Sequence, residues 1–175
     1  MRFDRAFLEG VCLIYDDSSP DERGTFNRVF SNTEFEANGV PGAFLQMGLS
    51  RTRKRGTLRG MHFQHPPRAE GKLIRCIRGH VFDAIIDLRR ESKTFKQTFT
   101  LELRAESDVA LYVPPGFAHG FLTLTDNVEM LYSLTETYVA ELADGVRWDD
   151  PAFEISWPEP VLLVSQRDRN FKMFT

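Results

Sequence analysis

Cysteine is nearly absent from this chain. Cys12 and Cys76 are the only two, they lie far apart and neither belongs to a C-x-x-C pair, so both read as reduced, buried thiols rather than a disulfide or a zinc site. Long apolar runs are missing as well. No stretch approaches the roughly 18 to 20 consecutive apolar residues that a bilayer-spanning helix requires, and no membrane partner is expected. The first twenty residues, MRFDRAFLEGVCLIYDDSSP, interrupt every apolar run with Asp, Glu or Arg, which leaves no core for a secretory signal and points to a cytoplasmic protein. There is no excess of positive charge either. Lys and Arg number 22 against 25 Asp and Glu, a net charge of -3, so no nucleic-acid partner is expected and any anion site has to be local. Tyrosine and tryptophan are scarce, 4 and 2 against 15 phenylalanines, which makes each tyrosine a candidate for a specific task. What remains is ordinary globular material, 42% hydrophobic and 27% charged over 175 residues, the length of one domain, residues 1–175.

From residue 43 onward the sequence alternates with period two between turn residues, and helical periodicity is scarce. The clearest runs are 57–64, 72–78, 80–88, 97–103, 109–113, 117–124 and 128–135, punctuated by Gly79, Pro114, Pro115, Gly116, Asp126 and Asn127. In 80–88, His80, Phe82, Ala84, Ile86 and Leu88 share one face while Val81, Asp83, Ile85 and Asp87 take the other, so each strand is expected to have a core face. About ten such strands with short turns predict an all-β, antiparallel jelly roll, an architecture that hides its edges. One short helix is predicted near 32–38, with Ser31 and Glu34 as a capping box and Gly39 and Pro41 as stop signals. In the tail, Val161 to Val164 predict a docked strand.

Residues 51–79 hold nine Lys and Arg and a single acid, Glu70. A charge run is usually a solvated face, but Arg59 and Lys72 sit inside apolar strand patterns, where an unpaired charge is costly and points to a cleft. His62 lies in the same strand as Arg59 at a spacing of three, which strict alternation would put on opposite faces. Gly60 between them marks a bulge that lets both reach one cavity. His119 follows a Pro-Pro-Gly turn and shares its face with Phe117 and Phe121, so a buried imidazole there needs a hydrogen-bond partner. Tyr132 shares a face with Val128, Met130 and Leu134 and points its hydroxyl inward. The pattern Pro114-x-Gly116-x-x-His119 is similar to half of a cupin metal motif, but the other half reads His62-Phe63-Gln64, and an amide replaces imidazole poorly at a divalent metal. His65 and Glu70 are the remaining candidate ligands, and no metal is expected.

These residues occur in a recognisable wording: Arg23-Gly24-x-Phe26, Gly56-Thr57-Leu58-Arg59-Gly60-Met61-His62-Phe63-Gln64, Lys72-Leu73-x-Arg75-Cys76-x-Arg78-Gly79, Val113-Pro114-x-Gly116-Phe117-Ala118-His119-Gly120-Phe121 and Arg147-Trp148-x-Asp150-Pro151. In these motifs the chain resembles the dTDP-4-dehydrorhamnose 3,5-epimerase family. The resemblance implies a cupin-type jelly roll that needs no metal or other cofactor, inverts C3 and/or C5 of a nucleotide-linked 4-keto-6-deoxy sugar, and works as a homodimer. His62 matches the family's base, Asp168 its partner, Lys72 the cation at the enolate oxygen and Tyr132 the acid on the opposite face. Arg23, Arg28, Arg59, His119 and Arg167 are assigned to diphosphate and sugar, with Arg23 serving the neighbouring site, and Tyr138 to stacking on the nucleotide base. Arg28, Gly48 and Ala143 stand where the family commonly has Glu, Asn and Glu, so the proton chemistry is expected to be kept while recognition has changed, which admits a CDP- or GDP-linked substrate. The rival readings are a metal-dependent cupin isomerase or dioxygenase with His62 and His119 as ligands, and a non-catalytic sugar-nucleotide or nucleic-acid binder built on the 51–59 loop.

Overall fold

Two six-stranded sheets face each other in the computed structural model, which describes residues 1–174. Fourteen strands occur in chain order, with an early helix and a late one. The strands are β1 (Arg2–Arg5), β2 (Cys12–Tyr15), β3 (Asp17–Asp21), β4 (Gly24–Arg28), β5 (Gln46–Thr52), β6 (Thr57–Gln64), β7 (Lys72–Arg78), β8 (His80–Asp87), β9 (Thr98–Arg104), β10 (Val109–Val113), β11 (Phe117–Thr123), β12 (Val128–Leu134), β13 (Ala143–Gly145) and β14 (Leu163–Val164). Helix α1 spans Asn32–Ala37 and α2 spans Gln166–Arg169. One sheet runs β1-β2-β10-β7-β12-β5; the other runs β13-β6-β11-β8-β9 with β14 added to β6. All pairings are antiparallel except β14 with β6. This is the expected all-β sandwich.

The predicted runs coincide with β6, β7 and β10 and meet β8, β9, β11 and β12 to within a residue. The expectation of a single core face per strand needs correction at the centre of the second sheet. Val81 and Ile85 of β8 enter the core between the sheets with Ile74, Leu111, Phe117 and Phe121. Ala84 and Ile86, on the opposite face of β8, are buried beneath the C-terminal segment by Val146 and Phe153. The covering segment turns what would be a solvent face into a second core, so every residue of β11 is buried.

The strand count was also expected to be lower, because four strands precede residue 43. The β3–β4 hairpin forms an arm whose residues are almost all exposed, and a strand without a buried face carries no hydrophobic alternation. The capping box does not form. Ser31 Oγ lies 3.3 Å from Thr33 Oγ1 rather than on a helix amide, and Glu34 instead accepts the Met1 amino group at 2.8 Å and meets Arg28 at 3.0 Å. Helix α1 is held by packing: Phe35 is fully buried, with edge-to-face contacts to Phe3 and Phe30. The predicted tail strand is present as β14, in register with Thr57 and Leu58.

Candidate active site

Gly60 creates the local geometry on which the site depends. On β11, His119 pairs with His62 and Phe121 with Arg59, so Gly60 and Met61 together oppose Gly120 and form a bulge. The extra residue brings Arg59 and His62 to the same side of β6, where both line one cavity, while Met61 packs into the core behind. Only glycine fits, because a Cβ at position 60 would lie 2.5 Å from Gly120 Cα and φ there is +136°.

That cavity, about 210 Å³, lies between the sheets and is walled by Ser50, Arg59, His62, Lys72, His119, Phe121 and Tyr132. It adjoins an outer cleft of about 340 Å³ that shares Ser50, His62, Lys72 and Tyr132 and extends past Gln46, Gly48 and Glu70 to Tyr138, Ala143 and Arg167. His62 and Tyr132 therefore reach the same space from opposite sheets.

Asp168 arrives from a distant part of the sequence. The parallel pairing of β14 with β6 delivers Ser165, whose hydroxyl accepts the Asp168 N–H at 3.0 Å and starts α2. The Asp168 carboxylate then receives His62 Nε2 at 2.8 Å on one oxygen and the Gly60 N–H at 3.1 Å on the other. Burial alone would raise its pKa, but the bonds and charge of His62, together with the Gly60 amide, outweigh that and hold it below the usual carboxylate range. With Nε2 on a carboxylate, Nδ1 is the ring nitrogen left to take a proton.

Tyr132 lies in the opposite electrostatic setting. Burial pushes its phenol well above the ordinary value near 10, the negative charge of Asp83 adds to the effect, and Arg59 only partly offsets it. The hydroxyl therefore stays protonated at neutral pH. Its ring meets His119 edge-on at 5.9 Å, and His119 Nε2 is bonded to the fully buried Asp83 at 2.8 Å. This supplies the partner that the apolar setting of His119 demands. Asp83 went unassigned on sequence, although an acid at a core-facing position of β8 was a readable signal.

Lys72 Nζ pairs with Glu70 Oε1 at 2.7 Å, both side chains being nearly buried, a partnership that the sequence reading missed. Arg59 donates through Nε to Thr52 Oγ1 at 2.9 Å and through Nη2 to the Arg51 carbonyl at 3.2 Å, which holds the guanidinium at the cavity wall. Arg167 lines the outer cleft and donates to the Ala143 carbonyl at 3.3 Å. Tyr138 stands at the rim, 53% exposed, its backbone tied to Gln46 Oε1. Arg23 and Arg28 do not line the cavity of their own chain. Arg23 is 84% exposed on the arm and pairs with Asp21, while Arg28 pairs with Asp17 and Glu34. Of the three positions that depart from the family wording, Gly48 and Ala143 line the outer cleft and Arg28 does not.

The rival readings find little support in this geometry. Gln64, at the second position of the cupin-like pair, spends its amide on the Arg68 and Thr137 carbonyls and the Val139 N–H. His65 is bonded to Asp144 at 2.9 Å. Among the described residues no three His, Cys, Asp or Glu side chains gather into a metal-holding group. The basic run 51–79 is divided among separate ion pairs, Arg51 and Arg78 with Glu129, Arg55 with Glu159, Arg68 with Glu136 and Arg75 with Asp16. With the Lys72–Glu70 pair, six of its nine cations are committed to carboxylates of their own chain.

The pattern that defines the dTDP-4-dehydrorhamnose 3,5-epimerase family matches residues 5–175. A dTDP-4-dehydrorhamnose 3,5-epimerase from Methanothermobacter thermautotrophicus is 40% identical over 98% of this chain and 93% of its own. The crystal structure of the enzyme of that name from Bacillus anthracis, with TDP and pyrophosphate bound, superposes with a TM-score of 0.96 at 35% identity over 99% of both chains. A Legionella pneumophila epimerase in complex with dTDP-4-keto-L-rhamnose superposes with a TM-score of 0.91 at 32% identity, over 98% of this chain and 92% of that one.

Proposed function

The chain belongs to the dTDP-4-dehydrorhamnose 3,5-epimerase family, and from that premise we propose how its residues divide the work. The protein is a sugar-nucleotide epimerase that inverts C3 and/or C5 of a dTDP-linked 4-keto-6-deoxy sugar. In the proposed mechanism His62 Nδ1 removes the proton next to the C4 carbonyl. The C–H electron pair becomes the C=C bond of an enolate, and the carbonyl pair moves onto the C4 oxygen. Asp168, ionised at neutral pH, holds the ring and stabilises the imidazolium. Lys72 faces the new oxyanion, the kind of fixed charge that contributes most when water is excluded. Tyr132 returns a proton to carbon from the other face, its phenol kept protonated by burial. Proton removal from one sheet and delivery from the other yields inversion.

The observation that carries this reading is the pair of groups that face one cavity from opposite sheets, His62 bonded to Asp168 and the phenol of Tyr132. Arg59, Arg167 and His119 are proposed to hold the diphosphate and sugar, and Tyr138 to stack on the base. Arg23, and with it Arg28, is proposed to serve the cavity of a second copy in a homodimer. An apolar groove of about 380 Å³ beside the arm, lined by Val29, Phe30, Phe44, Met47 and Leu131, supports that assembly. The whole chain is proposed to act as one domain without a cofactor. No described helix is long and apolar enough to cross a membrane. Two free, buried thiols support residence in the cytoplasm. Incubation in D2O with dTDP-, CDP- and GDP-4-keto-6-deoxyglucose, followed by NMR, tests the function: deuterium should enter C3, or C3 and C5, with the dTDP sugar. Absence of exchange with all three would refute it.

A further inference from the structure

Glu70 is the one acid in the basic stretch, and only half of its carboxylate is used. Oε1 meets Lys72 Nζ at 2.7 Å, whereas Oε2 is buried without a hydrogen-bond partner, and both side chains line the outer cleft, which shares His62, Lys72 and Tyr132 with the inner cavity. A counter-ion for Lys72 alone would explain Oε1. The idle oxygen calls for a donor, since a buried acceptor left unpaired is costly, and a turn of the carboxyl toward the outer cleft that Glu70 lines would bring it within reach of one.

Resting on the function proposed above, we propose that Glu70 is a further catalytic residue, whose Oε2 accepts a hydrogen bond from the hydroxyl on C3 of the sugar. The chemistry of the two epimerisations makes that contact selective. Removing the C3 proton gives a planar C3=C4 enediolate in which the C3 hydroxyl and the C4 oxyanion lie side by side. These match a neighbouring acceptor and cation, Glu70 and Lys72. Removing the C5 proton gives an enolate toward C5, whose substituents are the methyl group and the ring oxygen, with no hydroxyl on the new double bond. Lys72 thus serves both enolates, while Glu70 gains a stronger contact only in the C3 step. In that step the C3–H bond breaks toward His62 and the electron pair ends on the C4 oxygen. The O3–H bond stays intact and only strengthens its hydrogen bond to the carboxylate.

The test is the ratio of deuterium incorporation at C3 to that at C5 in the same sample of substrate, for the wild type, Glu70→Ala and Glu70→Gln. A charge-assisted hydrogen bond made only in one enolate should lower the ratio by about tenfold or more in Glu70→Ala, with Glu70→Gln, which keeps one acceptor oxygen, in between. Loss of Lys72 alignment alone would lower both exchanges together and leave the ratio unchanged, which would overturn the inference. So would an unaltered C3 rate. Continued C5 exchange reports that the variant is folded. If the wild type exchanges C3 only, the same loss of C3 exchange with dTDP affinity retained supports the inference, and undiminished exchange overturns it. A wild type that exchanges neither carbon would remove the function itself, a result distinct from failure of the Glu70 contact.

Discussion

The interior of the sandwich and its hairpin arm hold their charged groups in contrasting ways. Inside, His62, Lys72 and His119 stand on long paired strands, and each is bonded to a carboxylate, Asp168, Glu70 and Asp83 respectively. On the arm, Arg23 belongs to a two-stranded ribbon outside both main sheets, and its partner Asp21 is a near neighbour in sequence. Such an exposed ion pair contributes little to stability. The interior is thus preorganised within one chain, as proton transfer requires. The arm brings no charged group into the cavity of its own chain, in keeping with the proposal that it serves a second copy, and the comparison separates the proposed chemistry of the site from its proposed recognition.

The sharpest way to break that separation is to remove the two groups proposed to transfer protons in turn. His62→Ala should lower both isotope exchange and inversion by about 10²- to 10⁴-fold, the usual contribution of general base catalysis. Tyr132→Phe should instead preserve exchange on the His62 face and lose inverted product. NMR in D2O on the two variants checks this. Equal loss of exchange in both would mean that the two groups do not act on opposite faces.

A smaller effect is expected when the arm is altered. Arg23→Ala should raise KM for the nucleotide sugar by about tenfold, the cost of one charge-assisted contact to a phosphate, with kcat nearly unchanged. Sedimentation should show a dimer for wild type and variant alike. A monomeric wild type with full activity would sink the proposal that the arm serves a neighbour.

How much of this was legible in the sequence follows the same division. Strands β6, β7 and β10 could be read to the residue because an apolar face or turn residues mark their ends. Gly60 between Arg59 and His62 disclosed the bulge. The strands of the arm were illegible because β3 and β4 are exposed on both faces and no burial imposes alternation there, although the Arg23-Gly24-x-Phe26 wording marked the turn. Ser31 had the residue type of a cap, but the competing charges of Met1 and Arg28 took Glu34 away. The approach of Asp168 to His62 depends on the parallel register of Leu163 and Val164 with Thr57 and Leu58. No local pattern encodes it, so only the resemblance to a family could suggest it. Glu70 was visible as the lone acid, but its partnership with Lys72 required the side chains.

The mildest perturbation falls where interior and recognition surface meet. Gly48 of β5 sits directly opposite Tyr132 of β12 and lines the outer cleft. A Cβ built on it meets nothing within 4 Å, and its φ lies outside the left-handed region. Glycine inside a strand costs stability through backbone entropy, so Gly48→Ala should stabilise the fold by about 0.5 to 1 kcal/mol. For a chain of this size that raises Tm by roughly 1 to 4 °C. If the space beside Tyr132 is spare, kcat/KM should fall by less than about threefold, since one methyl group displaces only solvent. A loss beyond about tenfold with the fold intact would mean that the substrate itself fills the gap left by Gly48. That result would make the wall opposite Tyr132 part of the recognition surface.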